Sequence, residues 1–171
     1  MSSPISRFMR QQGFAEEPPV ACDLHFAGLL FQPRLVFPVV LAAIAAQLVS
    51  VPLSAALHLS VSAVLWWNTL LPALNPFELA YNRWLKEGEP VRLVPAPAPR
   101  RFAQGMAAAF SLGAGLALLL GASPLAWLLQ ALLVVGFSAL LFGRFCLGAY
   151  LYHLLRGRVA FANETLPWAH H

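Results

Sequence analysis

An all-helical fold of four membrane-spanning helices is predicted by three observations. The chain has 171 residues, of which 59% are apolar and only 11% charged, whereas soluble domains carry about 25% charged residues. Two long stretches, 35–74 and 102–143, contain no Asp, Glu, Lys or Arg. Each would make a helix roughly 60 Å long, about twice the hydrocarbon thickness of a bilayer, so each is read as two spans joined by a turn. All 11 Lys and Arg residues flank these stretches, and neither turn, near Ser50–Pro52 or Gly121–Pro124, carries a charge. By the positive-inside rule both termini and the central linker are expected in the cytoplasm, and the two turns outside, in a bacterial cytoplasmic membrane. The net charge of +4 thus belongs to the flanks of spans; it is no nucleic-acid face.

The expected organisation follows: 1–34, a cytoplasmic arm with an interfacial segment; 35–74, a first transmembrane hairpin; 75–101, an interfacial helix and Pro-rich linker; 102–143, a second hairpin; 144–171, an interfacial helix end and tail. The arm is polar up to Asp23, with a Pro18–Pro19 break. The apolar patch Leu24–Phe31 runs into Pro33–Arg34 without a small-residue cleavage site, so it reads as an interfacial lead-in and not as a signal peptide. The first span, Leu35–Val51, tolerates Pro38 in its first turn, where the missing N–H is not needed. The second, from Pro52 to about Leu74, carries His58, Trp66, Trp67 and Asn68. Polar groups at membrane depth face a partner helix or a cavity.

Between the hairpins, Asn75-Pro76-Phe77-Glu78 has the pattern of a helix start, with Asn75 as N-cap, Pro76 at the first position and Glu78 reaching back from the third. Phe77, Ala80, Tyr81 and Trp84 share one face and Glu78, Asn82 and Lys86 the other. This predicts a helix lying in the membrane interface, anchored by Tyr81 and Trp84. Pro95–Pro99 predicts an extended strut that delivers the chain to Arg100 and Arg101, which with Arg144 are the expected basic anchors.

The third span, opening at Pro99, has Gly105, Ala109, Gly113 and Ala117 at four-residue spacing, with a second small row at Ala103, Ala107, Ser111 and Gly115. Ala42, Ala46 and Ser50 repeat the pattern in the first span. Small rows let helix backbones approach closely in a bilayer. These seven residues, from Ala42 to Ala117, are therefore the expected packing positions. The first and third spans are expected to cross at the centre, which makes Gly113→Leu costly and Leu133→Phe on the fourth span milder. That fourth span is expected from Leu125 to at least Phe142, capped by Ser123 and Pro124. A repeat supports the arrangement: Pro33-Arg34 answers Pro99-Arg100, and Phe77-Glu-Leu-Ala-Tyr answers Phe145-Cys-Leu-Gly-Ala-Tyr. Repeats running in the same direction are related by an axis along the membrane normal.

The motifs Pro99-Arg-Arg-Phe-Ala-Gln-Gly105 and Phe145-Cys-Leu-Gly148 resemble those of a bacterial family of small integral-membrane proteins known as a domain of unknown function. The likeness covers about 34–155. The family motif implied by the resemblance ends in a second cysteine, whose place is taken here by Ala149. Whatever dithiol chemistry the family motif implies cannot be carried out by this chain's motif on its own.

Candidate chemistry is sparse. Cys22 and Cys146 are both expected on the reducing side, where a structural disulfide is not, and Cys146 is the possible thiol. Among five histidines, His58 and His153 are expected about 30 Å apart in depth, too far for a shared metal or haem. No metal-ligand spacing, nucleophile motif or phosphate loop occurs, and no acidic residue falls within a span. Neither a catalytic residue, a metal nor a cofactor is therefore expected. The favoured reading is a non-enzymatic accessory or scaffolding subunit that packs against larger membrane proteins, with lipid and those proteins as partners and no nucleic acid. A membrane thiol or sulfur-metabolism partner and a small-molecule carrier are the alternatives.

Overall fold

The computed structural model describes residues 4–14, 25–84 and 93–169, and among these the chain is helical without strands. Helix α1 spans Pro4–Gln12, α2 Phe31–Ala46, α3 Val51–Leu70, α4 Pro76–Trp84, α5 Ala98–Leu119, α6 Ser123–Leu141, α7 Leu147–Leu155 and α8 Val159–Glu164. A helical lead-in joins α2, so that His25–Ala46 forms one apolar stretch of 22 residues. The first candidate span thus begins at His25 and takes in the apolar patch that precedes Leu35. Three helices are long and apolar enough to cross a membrane, His25–Ala46, Ala98–Leu119 and Ser123–Leu141. The 20-residue α3 is not among them: His58, Asn68 and its serines and threonine dilute its hydropathy.

The four long helices touch in the order α2, α3, α5, α6 and back to α2, with α3 and α5 in closest association. The first and third spans, α2 and α5, do not cross at the centre as expected; they lie on a diagonal. The reason is periodicity. A row at every fourth residue drifts roughly 40° per step around an α-helix, so it leaves a straight contact line within two turns. A line alternating four and three residues stays on it. The buried residues follow the alternating line: Ser54, His58, Val61, Leu65 and Asn68 on α3 face Gln104, Ala108, Ser111, Gly115 and Leu118 on α5. The two helices run antiparallel, since Ser62 Oγ donates to the Ala108 carbonyl at 2.8 Å and Ser111 Oγ to the His58 carbonyl at 3.0 Å.

The expected packing positions distribute accordingly. Ala42 and Ala109 are exposed, and Ala46 and Ser50 are half-buried. Gly105 faces Thr69 across the α3–α5 seam, while Gly113 faces Leu129 on α6. Ala117 is buried with Ala55, Leu118 and Ala126. Gly115, from the second small row, makes the close approach: a Cβ there would stand 3.0 Å from the Leu59 side chain and 3.2 Å from the Ala55 carbonyl.

The turns obey local chemistry. Ser50 caps α3, its Oγ accepting from the Leu53 amide at 3.4 Å. The expected cap at Ser123 lies one residue off, because Ala122 takes the N-cap place without a side-chain bond. Pro97 keeps the extended dihedrals of the strut (φ −65°, ψ 166°), but Ala98 and Pro99 already belong to the first turn of α5. After α6 the chain bends at Gly143–Arg144, where Arg144 adopts a positive φ of 50°. Helix α7 then returns across α5.

One end of the molecule is closed by short elements. Phe8 and Met9 of α1 are each 2% exposed and pack with Leu29, Leu93, Cys146 and Ala149. Arg7 donates to the backbone carbonyls of Pro167 and Ala169, tying this helix to the far end of the chain. Helix α4 sits on α2 with both of its predicted faces drawn in, Phe77, Ala80 and Tyr81 being half-buried like Asn82. Glu78 is buried and Asn82 half-buried against the protein, while Leu79 is 51% exposed. Asn82 both donates to the Leu93 carbonyl and accepts from the Leu93 amide, each at 2.9 Å. These bonds draw the polar face inward as well, because the Leu93 backbone groups would otherwise be unpaired.

Candidate binding cavity

Two polar clusters lie inside the helices, one on each diagonal. At the Ser50 end, the Gln130 amide of α6 reaches across to α3. Its Nε2 donates to Gln47 Oε1 at 2.9 Å and contacts His58 Nε2 at 3.1 Å. An amide NH2 only donates, so His58 Nε2 is the acceptor and the imidazole carries its proton on Nδ1. That Nδ1 faces Ser111 Oγ at 3.4 Å, and Ser111 donates onward to the His58 carbonyl. Every ring nitrogen is thereby satisfied, and His58 is a packing residue joining three helices.

The second cluster lies where α1, α4 and α7 close the molecule. Gln32 Oε1 of α2 accepts from Asn75 Nδ2 at 3.2 Å and from Gln104 Nε2 of α5 at 3.1 Å, the latter bond crossing the α2–α5 diagonal. Asn75 Oδ1 accepts from the Phe77 amide at 3.0 Å, as its N-cap pattern predicts. Glu78 does not complete a capping box with the backbone. It turns towards Arg100, with 3.7 Å between Glu78 Oε1 and Arg100 Nη2. Arg100, expected as an interfacial anchor, is 7% exposed and donates to the Leu29 carbonyl at 3.3 Å. The bond and the pair pull it inward, whereas Arg144 is exposed and Arg101 is half-buried with its Nε on the Thr69 carbonyl. Tyr81 is half-buried against Phe31 instead of projecting as a headgroup anchor. Trp84 ends α4, and its side chain lies outside the described residues.

Beside this cluster is a partly open cavity of about 110 Å³, walled mainly by α2, α5, α6 and α7 and touched by α1 and α3. Its wall is apolar over most of its extent, through Val36, Phe110, Leu133 and Phe137, and polar at the end formed by Gln12, Gln32, Arg100, Gln104 and Cys146. Gln104 Oε1, Arg100 Nε and Glu78 Oε1 are buried without a hydrogen-bond partner among the described residues. Gly136 also lines the cavity, and an added Cβ there would meet nothing within 4 Å.

Cys146 forms part of the wall, 6% exposed, at the N-cap of α7. Burial pushes its thiol up, against the opposing pull of the Ala149 and Gly148 amides, the Gln12 side chain and Arg100. Ala149, at the place of the second motif cysteine, is fully buried in the same core. Burial also pushes the Glu78 carboxyl above the ordinary carboxylate value, with Arg100 and an Asn75 hydrogen bond opposing. His153 is remote from His58 in its partners, its Nε2 lying 3.0 Å from the Gln11 carbonyl. Among the described residues no three His, Cys, Asp or Glu side chains come together to hold a metal.

A family model described as Domain of unknown function (DUF4395) matches residues 27–157. The chain belongs to the DUF4395 family. The DUF4395 region holds all four long helices and α7, and with them every cavity residue except Phe8 and Gln12 of α1. No curated protein and no solved structure matches the chain.

Gln12, Gln32 and Glu78 were invisible as site residues in the sequence. Glu78 three residues after Asn75 has the spacing of a cap, and a lone glutamine beside a proline carries no pattern. Only the fold groups them: Gln32 through its bond to Gln104, Glu78 through Arg100, and Gln12 through the cavity wall.

Proposed function

We propose that this DUF4395 protein is a four-span protein of the bacterial cytoplasmic membrane that binds a small amphipathic molecule and catalyses no reaction. The reading puts both termini and the polar end of the cavity on the cytoplasmic side, as the basic flanks argue. It rests above all on the cavity, which is apolar along its length and ends on the unpartnered Gln104 Oε1. Protein interiors are close-packed and satisfy nearly all of their buried polar atoms. A ligand with an apolar tail and a polar head accounts for the void and for the orphaned amide together. The protein then works as a carrier, or as an accessory subunit that presents the ligand to a partner.

Mild-detergent extraction followed by native mass spectrometry tests the binding. A co-purified small molecule, or a rise in melting temperature with added short-chain amphiphiles, is the expected result, and both effects should vanish in Gly136→Leu. No bound molecule and no thermal shift across such a series would overturn the reading.

The accessory-subunit role draws on a separate observation. Helix α6 turns Leu125, Trp127, Leu128, Leu132 and Val135 outward, each more than 40% exposed. This face suits a neighbouring membrane helix as well as lipid. A stoichiometric larger complex in the same extraction supports that role, and a monomer in every detergent would remove it.

A further inference from the structure

The chemistry of the polar end narrows the ligand, an argument that rests on the cavity being a binding site. We propose that the cavity takes a short-chain monocarboxylate together with one proton, the carboxylate pairing with Arg100 while Glu78 receives the proton.

The Arg100–Glu78 pair is stretched and underused. At 3.7 Å the two charges are not in hydrogen-bond contact, although both side chains are only 8% exposed. Arg100 Nε and Glu78 Oε1 are both left without a hydrogen-bond partner. A guanidinium offers five N–H donors in a planar fork that fits a carboxylate through two parallel bonds. One donor is engaged by the Leu29 carbonyl, and the side chain lines the cavity. A second carboxylate therefore finds unused donors there.

Charge decides the stoichiometry. Arg100 and Glu78 together are neutral, and an added anion would leave one uncompensated negative charge in a buried site, which is costly. One proton removes that charge. Among the described residues Glu78 meets Arg100 from α5 and the neutral amide of Asn75, which is linked in turn to Gln32 and Gln104; Cys146 approaches Arg100 from α7, and burial pushes its thiol up. Glu78 is thus the group able to take a proton there, and its burial already favours the protonated carboxyl. The step balances as follows. The carboxylate leaves water and pairs with Arg100, a solvent proton bonds to Glu78, and the weak Arg100–Glu78 attraction is given up. The net event is uptake of the undissociated acid.

The volume sets the tail. An apolar cavity of about 150 Å³ is large enough for benzene. The cavity of about 110 Å³ is smaller and suits an open tail of about four or five carbons in place of a six-carbon ring.

Titration calorimetry of the full chain in detergent, with hexanoate as probe and hexanol as its uncharged counterpart, tests this. Hexanoate should bind with uptake of one proton, measured in buffers of different ionisation heat. Its affinity should be higher at about pH 6 than at about pH 8, falling by up to tenfold per pH unit once Glu78 has ionised. Glu78→Gln, which is neutral at every pH, should bind hexanoate without proton uptake and without pH dependence. Gly136→Leu should lose binding while keeping its melting temperature. Hexanoate bound without proton uptake, an unchanged pH slope in Glu78→Gln, or hexanol bound as tightly as hexanoate would overturn the proposal and leave the cavity as a binding site. Absence of binding by both probes at both pH values would overturn this proposal and the binding reading alike.

Discussion

Single residues decide where this protein tolerates change, and its glycines show it most sharply. Gly148 opens α7 directly over α5, and a Cβ added there would lie 2.6 Å from the Ala103 Cα and Cβ. Backbone cannot yield as a flexible side chain does, so Gly148→Ala should cost about 1 to 3 kcal/mol by overpacking. Gly136→Ala, with open space around it, should be neutral or slightly stabilising, since Ala is the better helix former by about 1 kcal/mol. Melting of the two variants in one detergent checks the pair, and equal stabilities would contradict the packing described for α7. The Gly113→Leu expectation changes for the same reason: its nearest neighbour is the flexible end of Leu129 at 2.9 Å, whereas Leu133 is 2% exposed inside the core. The expected ranking of these two positions therefore does not hold. Some residue roles were legible beforehand. Asn75 was read as a cap from its neighbours alone, because capping is local. Arg100 was not readable as a buried cation, because burial depends on Leu29 and Glu78, which are distant in sequence.

At the scale of elements, hydrophobic periodicity gave the long helices and misdirected the short one. Charge-free stretches place α2, α5 and α6 almost unaided, since water cannot satisfy backbone groups in a bilayer and helix is the local solution. Helix α4 has the composition of an interfacial helix yet buries Glu78 and turns Asn82 towards the Leu93 backbone. A pattern of faces says which residues are alike; it does not say which side a neighbour will occupy. The burial of this polar face predicts that Asn82→Leu, apolar and similar in size, will destabilise by about 1 to 3 kcal/mol through the two unpaired Leu93 groups. Leu79→Ser on the exposed side should change stability by no more than about 0.5 kcal/mol. Hydrogen exchange of the α4 amides would report the difference, and faster exchange in Leu79→Ser than in Asn82→Leu would refute the orientation. The α3–α5 seam carries the companion lesson. Its small residues were evident in the sequence, but which row would be used depended on the four-three line that both helices share.

For the whole molecule, the charge distribution is the most informative property. If the basic flanks set the orientation, cysteines introduced at Ser50 and Ser123 in a cysteine-free background should label from the periplasm, and those at Lys86 and Arg158 should not. The opposite labelling would reverse the topology. Fold class was legible because long apolar stretches call for helix; the cavity was not, because it arises where six helices converge and no stretch of chain contains it. The same convergence has a bearing on biogenesis. Arg7 holds the carbonyls of Pro167 and Ala169, contacts separated by 160 and 162 residues, and Phe8 and Met9 are buried against residues as late as Cys146 and Ala149. The burial of α1 thus depends on residues made more than 130 positions later, so this helix can dock only after the segment from Cys146 to Ala169 has been made, and its docking is a late event of folding.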